Sequence, residues 1–343
     1  MGEFELLAKL RERLPAGGSR VRLGSGDDAA ITVPGGATAT SVDAIVEGVH
    51  FRRNEAGPEA IGHKALASAL SDLAAMGAEA GEAYVVLGAP GDLGEDELLA
   101  LLDGMLEVAK ETGTTLAGGD LTRAPALTLT VTVVGHAPDA NAFVSRGGAR
   151  PGDLVVLTGE LGGAAAGRLL LDDPKLAAPV AASVAEGLRG RQLEPSPRLR
   201  SGRAMAEAGA TAMIDVSDGL AGDAAHLAEA SRVALAIEAG SLPLAAGVTE
   251  VAAAAGLDPL QLAVAGGEDY ELLATLPPEA LDEASARISA AEGSSLTAIG
   301  EVLAGKGVEI RLPGGGLLEA PGYDHFAAPT RDSRSKAREP RDG

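Results

Sequence analysis

Apolar and polar positions alternate in two registers along the chain, and the register changes mark out a run of strands and helices. Residues 37–42 are β-prone and lead into Asp43, and residues 59–76 carry apolar side chains at helical spacing. On that helix Ile61, Ala65, Leu66, Ala69, Leu70 and Leu73 share one face at about 100° per residue, with Asp72 at its margin beside Ser68 and Lys64. Residues 83–87 read as a strand, 95–112 as a helix, 114–117 as a strand and 127–134 as a strongly β-branched strand. The loop-like Gly147-Gly148-Ala149-Arg150-Pro151-Gly152-Asp153 then interrupts the pattern, which predicts a domain boundary.

A second half restarts with a strand at 154–158, a small-residue turn and a helix through 171. Residues 172–197 form a helical excursion between prolines, followed by a strand at 212–216, a helix at 220–230 and a strand at 234–238. The pattern assigns no element between 239 and 278. A helix at 279–291 and short strands at 297–302 and 308–312 follow, and the polar tail after Phe326 reads as disordered. The expected units are an N-terminal domain (1–148), a C-terminal α/β domain (149–326) and a tail (327–343).

Composition narrows the function classes. With 46% hydrophobic residues the 343-residue chain has ample material for two cores. A formal charge of -21 repels phosphate backbones, and 2% aromatic residues leave little for base stacking, so nucleic acid is not expected as a partner. Cysteine is absent, which removes thiol nucleophiles, thiolate ligands and disulfides and fits a reducing cytoplasm. Residues 1–14 read as a short amphipathic helix, and no apolar run reaches the ~20 residues a membrane span needs.

Within this acidic excess, seven aspartates sit at the edges of apolar or glycine-rich stretches: Asp27, Asp28, Asp43, Asp72, Asp120, Asp215 and Asp218. An ionised carboxylate withdrawn from water must be paired or must bind a cation, and hard divalent ions accept oxygen ligands and hold phosphates beside carboxylates. Metal-dependent phosphate chemistry follows as the first hypothesis. Each residue also has a plainer reading. Asp72 pairs with Lys64 or another neighbour, Ser217 or Asp218 caps a helix, His50 packs in a core, and the glycines at 159–167 serve close helix packing. No Gly-x-x-x-x-Gly-Lys-Ser/Thr is present, so a P-loop is excluded as the phosphate cradle.

The ordered set of motifs is more specific than any member. It comprises Gly26-Asp27-Asp28, Ser41-Val42-Asp43, Glu47-Gly48-Val49-His50-Phe51, Leu70-Ser71-Asp72-Leu73, Gly118-Gly119-Asp120, Ser145-Arg146-Gly147, Asp215-Val216-Ser217-Asp218-Gly219, Gly266-Gly267-Glu268-Asp269-Tyr270 and Gly322-Tyr323-Asp324. In these the chain resembles the thiamine-monophosphate kinase family of the aminoimidazole ribonucleotide synthetase superfamily, over residues 2–326. The resemblance implies a two-domain aminoimidazole ribonucleotide synthetase-like α/β (α+β) fold, a homodimer joined through the N-terminal sheet, and Mg²⁺-assisted transfer from ATP to thiamine monophosphate.

By the same resemblance, Asp28, Ser41, Val42 (through its backbone), Asp43, Asp72, Asp120, Asp215 and Asp218 match metal positions. Gly119, Asp120, Arg146 and Ser217 match ATP positions, and His50, Glu268 and Tyr323 match thiamine monophosphate positions. Asp43, Asp72, Asp120 and Arg146 would carry the phosphoryl transfer itself. Val42 stands where the family often has Thr or Ser, and Gly163-Ala164 where it commonly has Asp and Ser. Aminoimidazole ribonucleotide synthetase, or a non-catalytic acidic protein that binds metal or nucleotide, are the alternatives.

Overall fold

The computed structural model describes residues 9–14, 18–25 and 29–318. Asp28 and Tyr323, the segment 1–8 and the tail lie outside the described residues. The first half opens with the short pair β1 (Val21–Leu23) and β2 (Ile31–Thr32). It continues with β3 (Ala37–Val46), α1 (Pro58–Ala75), β4 (Glu79–Ala89), α2 (Glu95–Thr112), β5 (Thr115–Arg123) and β6 (Thr128–Ala137). The last four strands form one sheet in the order β3-β6-β4-β5, antiparallel except for the β4–β5 pair.

Local chemistry explains the helix ends. Pro58 opens α1, where a missing N–H costs nothing. The α2 start is closed by Glu97 Oε2 accepting from the Gly94 N–H at 2.8 Å, and its end by Gly113 in the left-handed region. The two helices cross so closely that a Cβ on Gly62 would lie 1.9 Å from the Leu101 carbonyl oxygen, and one on Gly104 1.9 Å from that of Glu59.

The second half contains β7 (Leu154–Thr158), α3 (Gly163–Asp172), α4 (Ala182–Leu193), α5 (Leu199–Glu207), β8 (Ala212–Asp215), α6 (Leu220–Ser231) and β9 (Ala234–Glu238). It ends with α7 (Val248–Ala255), α8 (Pro259–Ala265), β10 (Leu272–Leu276), α9 (Leu281–Glu292), β11 (Leu296–Leu303) and β12 (Gly307–Arg311). Its six strands run β12-β9-β11-β7-β10-β8, antiparallel apart from β12–β9. No single helix among the described residues is long and apolar enough to cross a membrane.

Three readings change. Asp43 and Asp120 do not follow strands; β3 runs on to Val46 and β5 to Arg123, so both carboxylates sit inside edge strands. Helices α5, α7 and α8 and strand β10 lie where the pattern assigned nothing. Helix α1 is buried nearly all round, Lys64, Ser68 and Ser71 included.

That burial comes from the second half. One flank of α1 lies on β3, β6 and α2, and the other meets α5 and β8. On the second flank a Cβ at Gly202 would lie 2.0 Å from the Ala74 carbonyl oxygen. Lys64 Nζ donates to the Gln192 carbonyl at 2.9 Å, and the Ser71 hydroxyl donates to Asp215 at 2.7 Å. One hydrophobic core accordingly contains Leu66, Leu70 and Val131 together with Met205, Met213 and Leu272.

Candidate active site

Between the two halves, beside α1, lies a cleft of about 540 Å³. Its walls bring together Asp43, His50, Asp72, Asp215, Ser217, Asp218 and Glu268 of the sequence-predicted residues. Period-2 alternation turns Ser41 and Asp43 to the α1 side of β3 and Val42 to the other, where it is 62% exposed. The Ser41 hydroxyl donates to Asp72 Oδ2, and Asp43 Oδ1 accepts from the Ala44 N–H at 2.7 Å. Lys64 does not pair with Asp72. Its ammonium meets Glu268 Oε1 at 2.7 Å instead, while Gln192 donates to Glu268 Oε2.

The far wall is two loops zipped together. Val216 N–H donates to the Glu271 carbonyl (2.8 Å), Tyr270 N–H to the Val216 carbonyl (2.9 Å) and Glu268 N–H to the Ser217 carbonyl (2.8 Å). A Cβ at Gly267 would lie 2.4 Å from the Ser217 carbonyl oxygen, so only glycine allows this approach. Glu268 and Tyr270 have positive φ (68° and 50°), a strained geometry that the zipped loops enforce. Below them buried Asp223 Oδ2 accepts from both the Ser217 and the Asp218 N–H groups, at 3.0 and 3.1 Å.

Electrostatics single out the carboxylates. Asp72 is raised above the ordinary Asp range, first by burial and also by the charge of Asp43; the Ser41 hydroxyl and the Arg146 charge oppose this. Asp215 is pushed to about 6, by burial first and then by Asp72. Asp223 is pushed to about 8 by burial and by Asp215, and Asp269 to about 7 by burial. The Tyr270 hydroxyl, hydrogen-bonded with Ser68, is held well above its usual value, by burial first and then by Glu268. The cleft thus gathers more carboxylates than its protein cations offset, with Lys64 engaged by Glu268 and Arg168 its one lining Lys or Arg among the described residues.

Among the described residues no three carboxylates or histidines close on a single metal position. The donor set fits an ion of another habit. Mg²⁺ takes one or two carboxylates and fills its shell with water and substrate phosphate oxygens, and Asp43, Asp72, Asp215 and Asp218 supply such oxygens from both halves.

Some predicted residues stand elsewhere. Gly119 and Asp120 line a second cleft of about 290 Å³ beside Leu10, Leu14 and Met105. A Cβ on Gly119 would meet the Val85 carbonyl at 2.1 Å, so close strand packing by itself requires glycine here. Arg146 is exposed outside the main cleft, with its charge felt at Asp72 and Asp215. The glycines at 159–167 are not an open cradle either. Asp269 accepts from the Gly162 and Ala164 N–H groups at 2.7 and 3.0 Å, and Gly167 lets Leu188 approach.

Sequence reasoning missed Asp223, and it gave Asp269 and Tyr270, which stand in the Gly266-Gly267-Glu268-Asp269-Tyr270 motif, no role of their own. The spacing Ser217-x₅-Asp223 held a signal, since a carboxylate in the first turn of a helix can accept from the N–H groups that precede it.

These two halves and the acidic cleft between them define an AIR synthase-related protein. The family models described as AIR synthase related protein, N-terminal domain, and AIR synthase related protein, C-terminal domain, match residues 26–137 and 150–313. Within that family the chain belongs to the thiamine-monophosphate kinases. It is 40% identical over 282 residues to the thiamine-monophosphate kinase of Mycobacterium tuberculosis, covering 80% of each chain. The crystal structure of thiamine-monophosphate kinase from Stenotrophomonas maltophilia superposes with a TM-score of 0.79 at 35% identity, covering 92% of this chain and 98% of that one. A structure described as AaThiL complexed with AMPPCP and TMP superposes at 0.74 with 30% identity, covering 95% and 97%.

Proposed function

We propose that the chain transfers a phosphoryl group from ATP to thiamine monophosphate, giving thiamine diphosphate by in-line displacement without a covalent phosphoenzyme. Family membership and the ligands named for the AaThiL complex support the reaction. The observation that carries it in this chain is the meeting of Asp43 and Asp72 from one half with Asp215, Ser217 and Asp218 from the other in one cleft.

The acceptor is a phosphate oxygen already largely ionised near neutral pH, its second pKa being about 6, so no strong general base is needed. What remains is to align two polyanions. Bound Mg²⁺ would supply charge neutralisation between the phosphates, held by Asp43, Asp72, Asp215 and Asp218. Ser41 and Ser71 fix the Asp72 and Asp215 carboxylates by hydrogen bonds, and Arg146 adds positive charge on the ATP side. The turn that Asp223 holds presents Ser217, assigned to ATP.

His50, whose Nδ1 accepts from the Val46 N–H at 3.1 Å, carries its proton on Nε2 when neutral and is assigned with Glu268 to the acceptor. Asp28, Val42, Gly119, Asp120 and Tyr323 keep their assigned roles by family resemblance alone.

We place the N-terminal domain at 1–148, the C-terminal domain at 149–326 and a tail at 327–343; the family matches fall on either side of the first boundary. The face of the four-stranded sheet opposite α1 carries Val42 and Val86, 62% and 45% exposed, and supports a homodimer formed through it. An ATP-consuming reading carries a cytoplasmic location with it.

A coupled ADP-release assay with Mg²⁺, ATP and thiamine monophosphate tests the reaction, with free thiamine as the comparison. Turnover with the phosphorylated acceptor alone is expected, and its absence would end the reading. Asp72→Asn should lower kcat on the order of 100-fold without lowering the melting temperature, because it removes a carboxylate that burial already disfavours.

A further inference from the structure

The turn that carries His50 is tied to both halves of the molecule by two consecutive arginines. Arg53 holds it to its own half, donating to Glu47 Oε1 at 2.8 Å and to Asp92 Oδ2 at 2.9 Å. Arg52 reaches across, donating to Glu55 Oε1 at 2.7 Å and to Asp172 Oδ1, on α3, at 2.7 Å. From α3 comes the answering contact. Arg168 Nη2 donates to Glu55 Oε2 at 2.7 Å and to Asp172 Oδ1 at 2.9 Å.

Each Glu55 oxygen therefore serves a different arginine, one from each half. Arg168 also lines the cleft and is the sole Lys or Arg among its described lining residues. The centre of this quartet is its most sheltered part: the Glu55 and Arg168 side chains are 13% and 28% exposed, against 45% and 52% for Asp172 and Arg52. Isolated surface ion pairs contribute little, but a four-member network with a sheltered centre holds its geometry. Two carboxylates already engage the Arg168 guanidinium, which suits it to joining protein walls and not to taking up a further anion.

We propose that the Glu55–Arg168 pair, flanked by Arg52 and Asp172, is a latch between the two halves that positions the His50 turn for the acceptor. It rests on the assignment of His50 to the acceptor side of the cleft. Arg168 and Glu55 are positioning residues here: they touch the wall that carries the binding group, not the reacting atoms.

Steady-state kinetics of Arg168→Gln, Glu55→Gln and the double variant test it, with thermal melts confirming that each is folded. Each single change should raise the KM for thiamine monophosphate about 3- to 5-fold, the scale of a partly sheltered ion pair, and leave the KM for ATP at the wild-type value. The double variant should be no worse than either single, as for two halves of one contact. Arg168→Lys should recover part of the loss, and it carries the comparison if the Gln variant does not fold. An unchanged acceptor KM in folded variants, an equal rise in the KM for ATP, or multiplicative losses in the double variant would overturn the latch. Lack of wild-type turnover would instead remove the kinase reading itself, so the two failures are distinct.

Discussion

Single residues in the cleft show how much of its chemistry is concealed from the chain. Asp43, Asp72, Asp215 and Asp218 stood out because a carboxylate among apolar neighbours needs a partner, whereas Asp223, which accepts from two backbone N–H groups, shows only in its first-turn spacing from Ser217. Its folded-state pKa of about 8 lies above the ordinary Asp value. The folded protein thus keeps a proton that the unfolded chain releases, and this group's contribution to stability falls as pH rises from about 4 to about 8. Asn offers one oxygen to the same two N–H groups. Asp223→Asn should therefore flatten the decline of metal-free melting temperature between pH 5 and 8.5, with a gain at the upper end on the order of 2 kcal/mol.

Lys64 teaches the complementary lesson. Its neighbour at the helix margin, Asp72, was the natural sequence partner, yet the ammonium turns to Glu268, 204 positions away, because α1 is walled in on that side by the second half. Lys64→Met should cost about 2 kcal/mol in urea unfolding, less than for a fully buried pair because the Glu268 side chain is 27% exposed. Adding Glu268→Gln should recover part of that loss, since the orphaned charge is then gone.

At the scale of elements, legibility followed capping and period. The pattern gives 95–112 and the structure gives Glu95–Thr112, because acidic residues open that helix and glycine closes it. Strand β10 was invisible for a physical reason. Leu272–Leu276 is buried on both faces, and a short apolar run without alternation has no period to read. Strands β3 and β5 were read too short because Asp43 and Asp120 look like strand ends, whereas on these edge strands Asp43 faces the cleft and Asp120 is exposed, so neither charge ends its strand.

Helix crossings belong to this scale too. Gly104→Ala would drive a methyl group into the Glu59 carbonyl, and α1 and α2 would have to separate. A loss of about 1–3 kcal/mol is expected in chemical denaturation, although alanine has the better helix propensity. Gain of stability instead would show that the crossing adjusts freely.

For the whole molecule, the two α/β halves were legible as a restart of the pattern at 154, while the way they clasp was not. Long-range contacts such as Ser71 to Asp215 have no signature in either segment. The sheet face bearing Val42 and Val86 leaves both side chains exposed, and a second copy is the proposed cover. Val42→Lys should then shift sedimentation from dimer to monomer and leave the far-ultraviolet circular dichroism unchanged; a dimer that survives would place the interface elsewhere.

Because the core around α1 is shared by both halves, cutting the chain at the proposed boundary after residue 148 should leave neither piece with a complete core. An N-terminal fragment would bare the flank that holds Lys64 and Ser71, and a C-terminal fragment would lose the cover over Met205 and Met213. The two units that sequence distinguishes are, mechanically, one body built around a shared axle.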